Sequence, residues 1–197
     1  MKQKEKLTQL ATKITENREN YAQVLSVLIQ DKLAVLELPK ARFEIRITPK
    51  ELSSNGADNV EFMISTNVSE DLKPLAKVAS GGEISRVMLA IKSIFAQNDD
   101  IDTVIFDEID TGISGKASQS VAEEIVELSK SHQVIVITHQ AIIASKADKH
   151  FYVRKSEDET KVEVYVLTGD NKIKALAELA GGEINEQSIE FAKSLLS

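Results

Sequence analysis

The chain has 197 residues, 42% of them hydrophobic, enough for a real core in one large domain or two small ones, which excludes a disordered polypeptide. Lys and Arg total 24 against 31 Asp and Glu, a formal charge of -7, so the chain as a whole repels nucleic acid and anionic membrane, and any such contact has to be local or indirect. The absence of cysteine excludes disulfides, thiolate catalysis and Cys-based zinc sites, and with no apolar run of membrane-span length and a charged start, MKQKEKLTQ, the composition points to a soluble cytoplasmic protein.

Leu7, Ile14, Tyr21, Leu28 and Val35 recur at intervals of seven, with Leu10, Val24 and Leu25 beside them. This spacing predicts a long helix over residues 3–36, interrupted in its stripe at Asn17 and Arg18. Two readings of that helix stand side by side: packing on its own domain, or the end of a longer coiled coil. Pro39 breaks the helix, ELPKARFEIRITP and NVEFMISTN offer two strands, and KELSSNGADN between them has hairpin-loop chemistry around Asn55-Gly56.

VASGGEISR, residues 78–86, is a small-residue turn running straight into an amphipathic helix, a layout that presents bare backbone N–H groups to an anion. The helix SRVMLAIKSIFAQ places Ile84, Met88, Ile91 and Phe95 on one face, widened by Val87, Leu89, Ala90 and Ile94, and is expected to be mostly buried. No lysine follows Gly82 as it would in a phosphate-wrapping loop. TVIFDE, GKASQSVAEEIVELSKS and QVIVITH then read as strand, crossover helix and strand, a βαβ unit of a parallel sheet. A short helix around QAIIASKAD leads to two alternating strands, KHFYVRK and KVEVYVLT, joined by the acidic turn SEDET, and the chain closes with helices in KIKALAEL and EQSIEFAKSLL.

Asp107 and Glu108 end the first strand of the βαβ unit, where open α/β sheets bind their ligands. One carboxylate there can hold Mg²⁺ and the next can polarise a water. His139 ends the neighbouring strand and opens onto the same sheet edge, with one ring nitrogen available to a phosphate oxygen or water and the other to an orienting partner. Acidic pairs and single histidines at strand ends are also common as solvated or structural groups. His132 and His150 have no motif around them and read as surface or packing residues. TGISGKAS is not a P-loop, because Ala117 fills the Ser/Thr position and Gly112 stands too close to Gly115, and LAGGEIN at 179–185 reads as a Gly-Gly break between helices.

ASGGEISR, then a helix, then TVIFDEIDTGISG, then VIVITHQ, resemble the second half of an ABC-type ATPase head: signature motif, Walker B strand, D-loop and switch histidine, in order. Within that superfamily the chain is similar to the SMC-like DNA-repair ATPases, through PLAKVASGGEISRVMLAIKSI, FDEIDTGISGKAS, PKARFEI, VEFMISTN, ADKHFYVRK and ALAELAGGEIN, over nearly all of residues 20–197. The resemblance implies an α/β fold, a half-head with a mostly parallel sheet and flanking helices, in which residues 1–38 end a coiled-coil arm and 39–197 form the C-terminal lobe.

It implies further that Ser80, Gly81, Gly82 and Glu83 bind ATP held by another head, with Asp110, Gly112, Ser114 and Gly115 as D-loop residues crossing between heads. Asp107 takes the place of the Mg²⁺ ligand, Glu108 that of the base aligning water, and His139 that of the switch histidine. The implied partners are an N-terminal P-loop half-head of the same protein, a second head and DNA, in a bacterial, nucleoid-associated setting without membrane. Lacking a P-loop, the chain alone is expected to be inactive. At the switch loop Gln140-Ala141 departs from the Leu-Pro of that branch. The rival readings are a non-catalytic half-head that docks on a partner, and a head from another SMC or ABC branch.

Overall fold

The computed structural model describes residues 2–78, 81–96, 100–155 and 161–197. It divides into two compact units, Met1–Asp99 and Asp100–Ser197.

In the first unit, helix α1 (Lys2–Val35) is followed by strands β1 (Arg42–Ser53), β2 (Gly56–Ser65) and β3 (Lys73–Pro74), a 3-10 turn at Leu75–Lys77, and helix α2 (Gly81–Phe95). The helix ends before Pro39, at a left-handed Glu37 (φ 61°), with the Leu38 N–H returning 2.9 Å to the Leu33 carbonyl. That is the Schellman closure of a helix C-terminus. The strands pair antiparallel in the order β1-β2-β3, with Arg42 opposite Ser65 and a register shift between Pro49 and Ser53. Pro49 has no N–H to give the ladder, so it sits where the pairing slips.

The hairpin loop is shorter than KELSSNGADN suggested: both strands run on until only Ser54 and Asn55 make the turn. Gly56 has φ +104° and comes so near α1 that a Cβ there would lie 3.1 Å from Arg18 Nη1. Side chains of α1 also close the outer edge of the sheet. Gln30 Oε1 accepts the Phe43 N–H at 2.9 Å and Ser26 Oγ the Ile45 N–H at 3.1 Å, so two backbone donors of an edge strand are satisfied by the helix. Ile29, Leu33, Leu36, Phe43, Met63 and Ile64 are buried, and Phe43 meets Phe62 edge-on at 5.6 Å. On α2 the buried apolar side chains are Val87, Leu89, Ala90 and Ile91, whereas Met88, expected on the inner face, is exposed.

The second unit contains β4 (Thr103–Phe106), α3 (Lys116–Ser129), β5 (Gln133–Val136), α4 (Ala141–Ser145), β6 (His150–Lys155), β7 (Val162–Leu167), α5 (Gly169–Gly181) and α6 (Glu186–Leu196). Strands β4 and β5 pair in parallel, Thr103 opposite Gln133 through Phe106 opposite Val136, with α3 as their crossover. Strands β6 and β7 form an antiparallel ribbon. The turn SEDET lies outside the described residues. Phe106, Ile109, Val121, Ala122, Ile125 and Leu128 are buried around the βαβ unit, and Ala141, Ala144, Leu176, Ala177 and Ala192 form a core of α4, α5 and α6. The Gly-Gly break falls between helices: Gly182 is the left-handed cap of α5, and Asn185 with Ser188 makes a capping box for α6.

Candidate functional site

Parallel pairing of β4 with β5 decides where the chemistry-bearing side chains emerge. The ladder extends one step past β5, the Ile137 N–H reaching the Phe106 carbonyl at 2.9 Å, so the segments after both strands leave the same sheet edge side by side. Asp107 and Glu108 are exposed there, and so is His139. Glu108 carries a positive φ of 57°, a backbone conformation costing a non-glycine residue about 1–2 kcal/mol. The Thr111 N–H closes a turn onto the Glu108 carbonyl at 3.1 Å.

Asp110, two residues on, is 1% exposed. Its Oδ2 accepts the backbone N–H of His139 at 2.8 Å, faces His139 Nδ1 at 3.2 Å, and takes the Thr138 hydroxyl. Thr138 Oγ1 in turn accepts the Gln140 N–H at 3.0 Å, and Gln140 Nε2 donates to the Ile113 carbonyl at 3.2 Å. The acidic turn and the histidine segment are therefore tied together twice. The departure at Gln140-Ala141 has a structural use: Gln140 makes one of those ties, which leucine could not, and Ala141 is buried at the start of α4. Gly112 (φ 77°) and Gly115 (φ 56°) carry the chain around from Asp110 into α3, with Gly112, Ser114 and Gly115 all exposed.

The signature residues belong to the first unit. Ser80 lies outside the described residues. Gly81 opens α2 exposed, Gly82 is buried, and Glu83 is half-buried in the first turn. Composition and spacing did not single out Arg86, which is 4% exposed on the same helix. Burial pushes its guanidinium below the ordinary value, an effect opposed by Glu83 one turn earlier. A charged residue among the apolar positions of VMLAI was the signal available for it.

His132 is buried with Nδ1 2.8 Å from Ser131 Oγ. His150 is half-buried, and burial, with Lys172 nearby, pushes its imidazole below the ordinary value. Neither lies on the edge where His139 emerges. No cluster of three or more His, Cys, Asp or Glu able to hold a metal occurs among the described residues. Mg²⁺ takes one or two carboxylates and completes its shell with water and phosphate oxygens, and Asp107, exposed after β4, is a carboxylate of the kind it takes. Among the described residues no helix is long and apolar enough to cross a membrane.

No family model matches the chain. It is 43% identical to the DNA repair protein RecN of Halalkalibacterium halodurans over 191 residues, covering 93% of the chain and 34% of that protein. With RecN of Bacillus subtilis it shares 38% over 205 residues, covering 94% and 36%. The chain thus spans about a third of the length of these curated relatives.

Among solved structures, the Smc head domain with a coiled coil and joint from Pyrococcus yayanosii superposes with a TM-score of 0.59 at 22% identity, covering 90% of the chain and 34% of that one. A chain from a study of ATP-driven dimerization and DNA-stimulated activation of SMC ATPases superposes at 0.52 and 23% identity, over 87% of this chain and 99% of that one. Over more than nine-tenths of its length the chain is homologous to the C-terminal portion of the DNA repair protein RecN, built on the α/β fold of SMC-type ATPase heads.

Proposed function

We propose that the chain is the C-terminal lobe of a RecN-like ATPase head acting in double-strand-break repair and recombination. Residues 1–38 would end the coiled-coil arm and residues 39–197 form the lobe. The observation that carries this reading is the shared sheet edge at which Asp107, strained Glu108 and His139 emerge, with Asp110 tying the acidic turn to the histidine segment.

On this reading Asp107 would hold Mg²⁺, which would supply charge to offset that of the phosphates, and Glu108 would align the attacking water and accept its proton. His139 would reach a phosphate oxygen or that water from the same sheet edge. Ser80, Gly81, Gly82 and Glu83 close over ATP bound on a second head, and Gly112, Ser114 and Gly115 cross between the heads. Attraction between a helix terminus and an anion contributes only about 0.3–2 kcal/mol, so this lobe clamps a nucleotide held elsewhere.

The N-terminal part that the relatives possess would supply the phosphate-wrapping loop. Two surfaces support such a partner: the exposed Ile105, Ile135 and Ile137 on one face of β4–β5, and the exposed seam of Leu7, Ile14, Tyr21 and Leu28 on α1, suited to a second helix of the arm. The solved SMC chain is matched over 99% of its own length and 87% of this one, so a polypeptide of similar extent occurs among SMC ATPases. DNA and a second head are partners of the assembled protein, in the cytoplasm of a bacterium.

The test is MgATP turnover of this chain alone, then together with the N-terminal part of a RecN. We expect none alone, turnover in the mixture, and a loss of about 10²–10⁴ in Glu108→Gln, the usual contribution of a general base. An unchanged rate in that variant removes Glu108 from the chemistry. A verified complex without turnover would instead make the chain a docking module.

A further inference from the structure

We infer that Asp110 is a positioning residue for His139, fixing which ring nitrogen carries the proton, and that Nε2 is the nitrogen His139 presents outward as a hydrogen-bond acceptor. The inference deepens the proposed function and rests on its reading of His139 as a site residue.

The argument is one of donors and acceptors. Thr138 Oγ1 accepts the Gln140 N–H at 3.0 Å, and its own hydrogen goes to Asp110 Oδ2. The same oxygen takes the His139 backbone N–H at 2.8 Å. That oxygen has only lone pairs to offer His139 Nδ1 at 3.2 Å, an approach outside hydrogen-bond alignment, but its negative charge at that distance favours a hydrogen on Nδ1 over a bare lone pair. In a neutral ring Nε2 is then bare, the reverse of the tautomer that free imidazole favours in water.

Burial makes the arrangement stiff: the Asp110 side chain is 1% exposed, whereas the His139 side chain is 69% exposed. One end of the ring is held in the protein and the other faces out of the sheet edge beside Glu108. A neutral His139 can therefore accept a hydrogen from water through Nε2. The anchor also gives Asp110, whose side chain is 1% exposed, a use within its own lobe.

The test is the ¹⁵N spectrum of the imidazoles in this chain, labelled at histidine and recorded in alkaline buffer, with His139 assigned by its loss in His139→Gln. We expect a protonated Nδ1 and a bare Nε2 for His139, lost in folded Asp110→Ala and kept in Thr138→Val, which leaves the carboxylate in place. A proton on Nε2 in the unaltered chain overturns the inference whether or not any variant folds, and so does an unchanged tautomer in folded Asp110→Ala.

In the assembled ATPase, Asp110→Ala should lower kcat about 10- to 100-fold with KM for MgATP little changed, the range seen when the partner orienting a functional histidine is removed. A raised KM for MgATP with kcat unchanged would overturn the positioning role. The spectrum needs no nucleotide, so the two readings fail separately: unchanged turnover in His139→Ala would remove His139 from the proposed chemistry and leave its tautomer standing.

Discussion

Among the described residues two that are not glycine hold a positive φ, Glu37 at 61° and Glu108 at 57°, and their surroundings give the strain different meanings. Glu37 ends a helix, where a left-handed residue lets orphan carbonyls find donors, and glycine is the usual occupant. Glu108 lies two residues past β4, beside Asp107 at the sheet edge, where a left-handed residue turns the chain after a strand instead of closing a helix. Glycine at either position relieves about 1 kcal/mol of backbone strain, net of the chain entropy it adds. Both Glu37→Gly and Glu108→Gly should therefore raise the thermal midpoint by about 2–4 °C, the shift per kcal/mol for a chain of this size. In the assembled ATPase only Glu108→Gly should lose turnover. A Glu108→Gly chain that melts lower than its parent would show that the carboxylate holds the fold and that the strain serves no site. The pairing of Asp110 with Thr138, 28 residues away, could not be read from TVIFDEID or QVIVITH separately. Each motif was legible, but the bond between them exists only once β4 and β5 lie side by side.

At the scale of the element, α1 has two faces, and the sequence shows one of them. The heptad of Leu7, Ile14, Tyr21, Leu28 and Val35 is exposed, while the face on the hairpin is Ala11, Thr15, Arg18, Ala22, Ser26, Ile29 and Leu33, small and polar toward its N-terminal end. Apolar spacing revealed the seam because large side chains dominate such a pattern. It could not reveal a face built on alanines and a polar pin. Arg18, an interruption in the stripe, is that pin: Nη1 meets Asp58 Oδ2 at 3.0 Å, Nη2 reaches the Asn55 carbonyl at 2.8 Å, and Thr15 Oγ1 lies 2.8 Å from Asp58 Oδ1. The Asp58 side chain is 4% exposed and that of Arg18 29%, so removing the carboxylate leaves a cation that still reaches water. Asp58→Ala should cost about 2 kcal/mol, below the 3–5 kcal/mol of a fully buried pair, and Asp58→Leu with Arg18→Met should recover most of it. Urea unfolding of this chain with an unchanged m-value measures both. A loss under about 0.5 kcal/mol would make the cluster an ordinary surface pair and leave α1 held by its apolar contacts alone.

At the scale of the molecule, the described residues expose more large apolar side chains in the second unit than a soluble domain ordinarily leaves uncovered. Ile105, Ile135 and Ile137 share one face of the parallel pair, and Phe151, Val153, Val164 and Val166 share one face of the antiparallel ribbon. Pattern reading predicted the strands correctly, since a run such as VIVI is what a strand covered on both faces looks like, but it says nothing of whether the cover lies in the same 197 residues. Here one face of each pair stands open, in a chain spanning about a third of its relatives. The chain carries a formal charge of -7, which opposes association at low salt. Screening that charge while strengthening apolar burial should tip the balance, so sulfate should drive concentration-dependent self-association of this chain, seen in sedimentation velocity. Phe151→Glu with Val164→Lys should suppress it without lowering the melting temperature, because these side chains are already in water. The N-terminal part of a RecN, added in equimolar amount, should suppress it too by covering β4–β5. If the charged double variant self-associates as readily as its parent, the ribbon face is not the sticky one, and Ile105→Lys then asks the same question of the parallel pair.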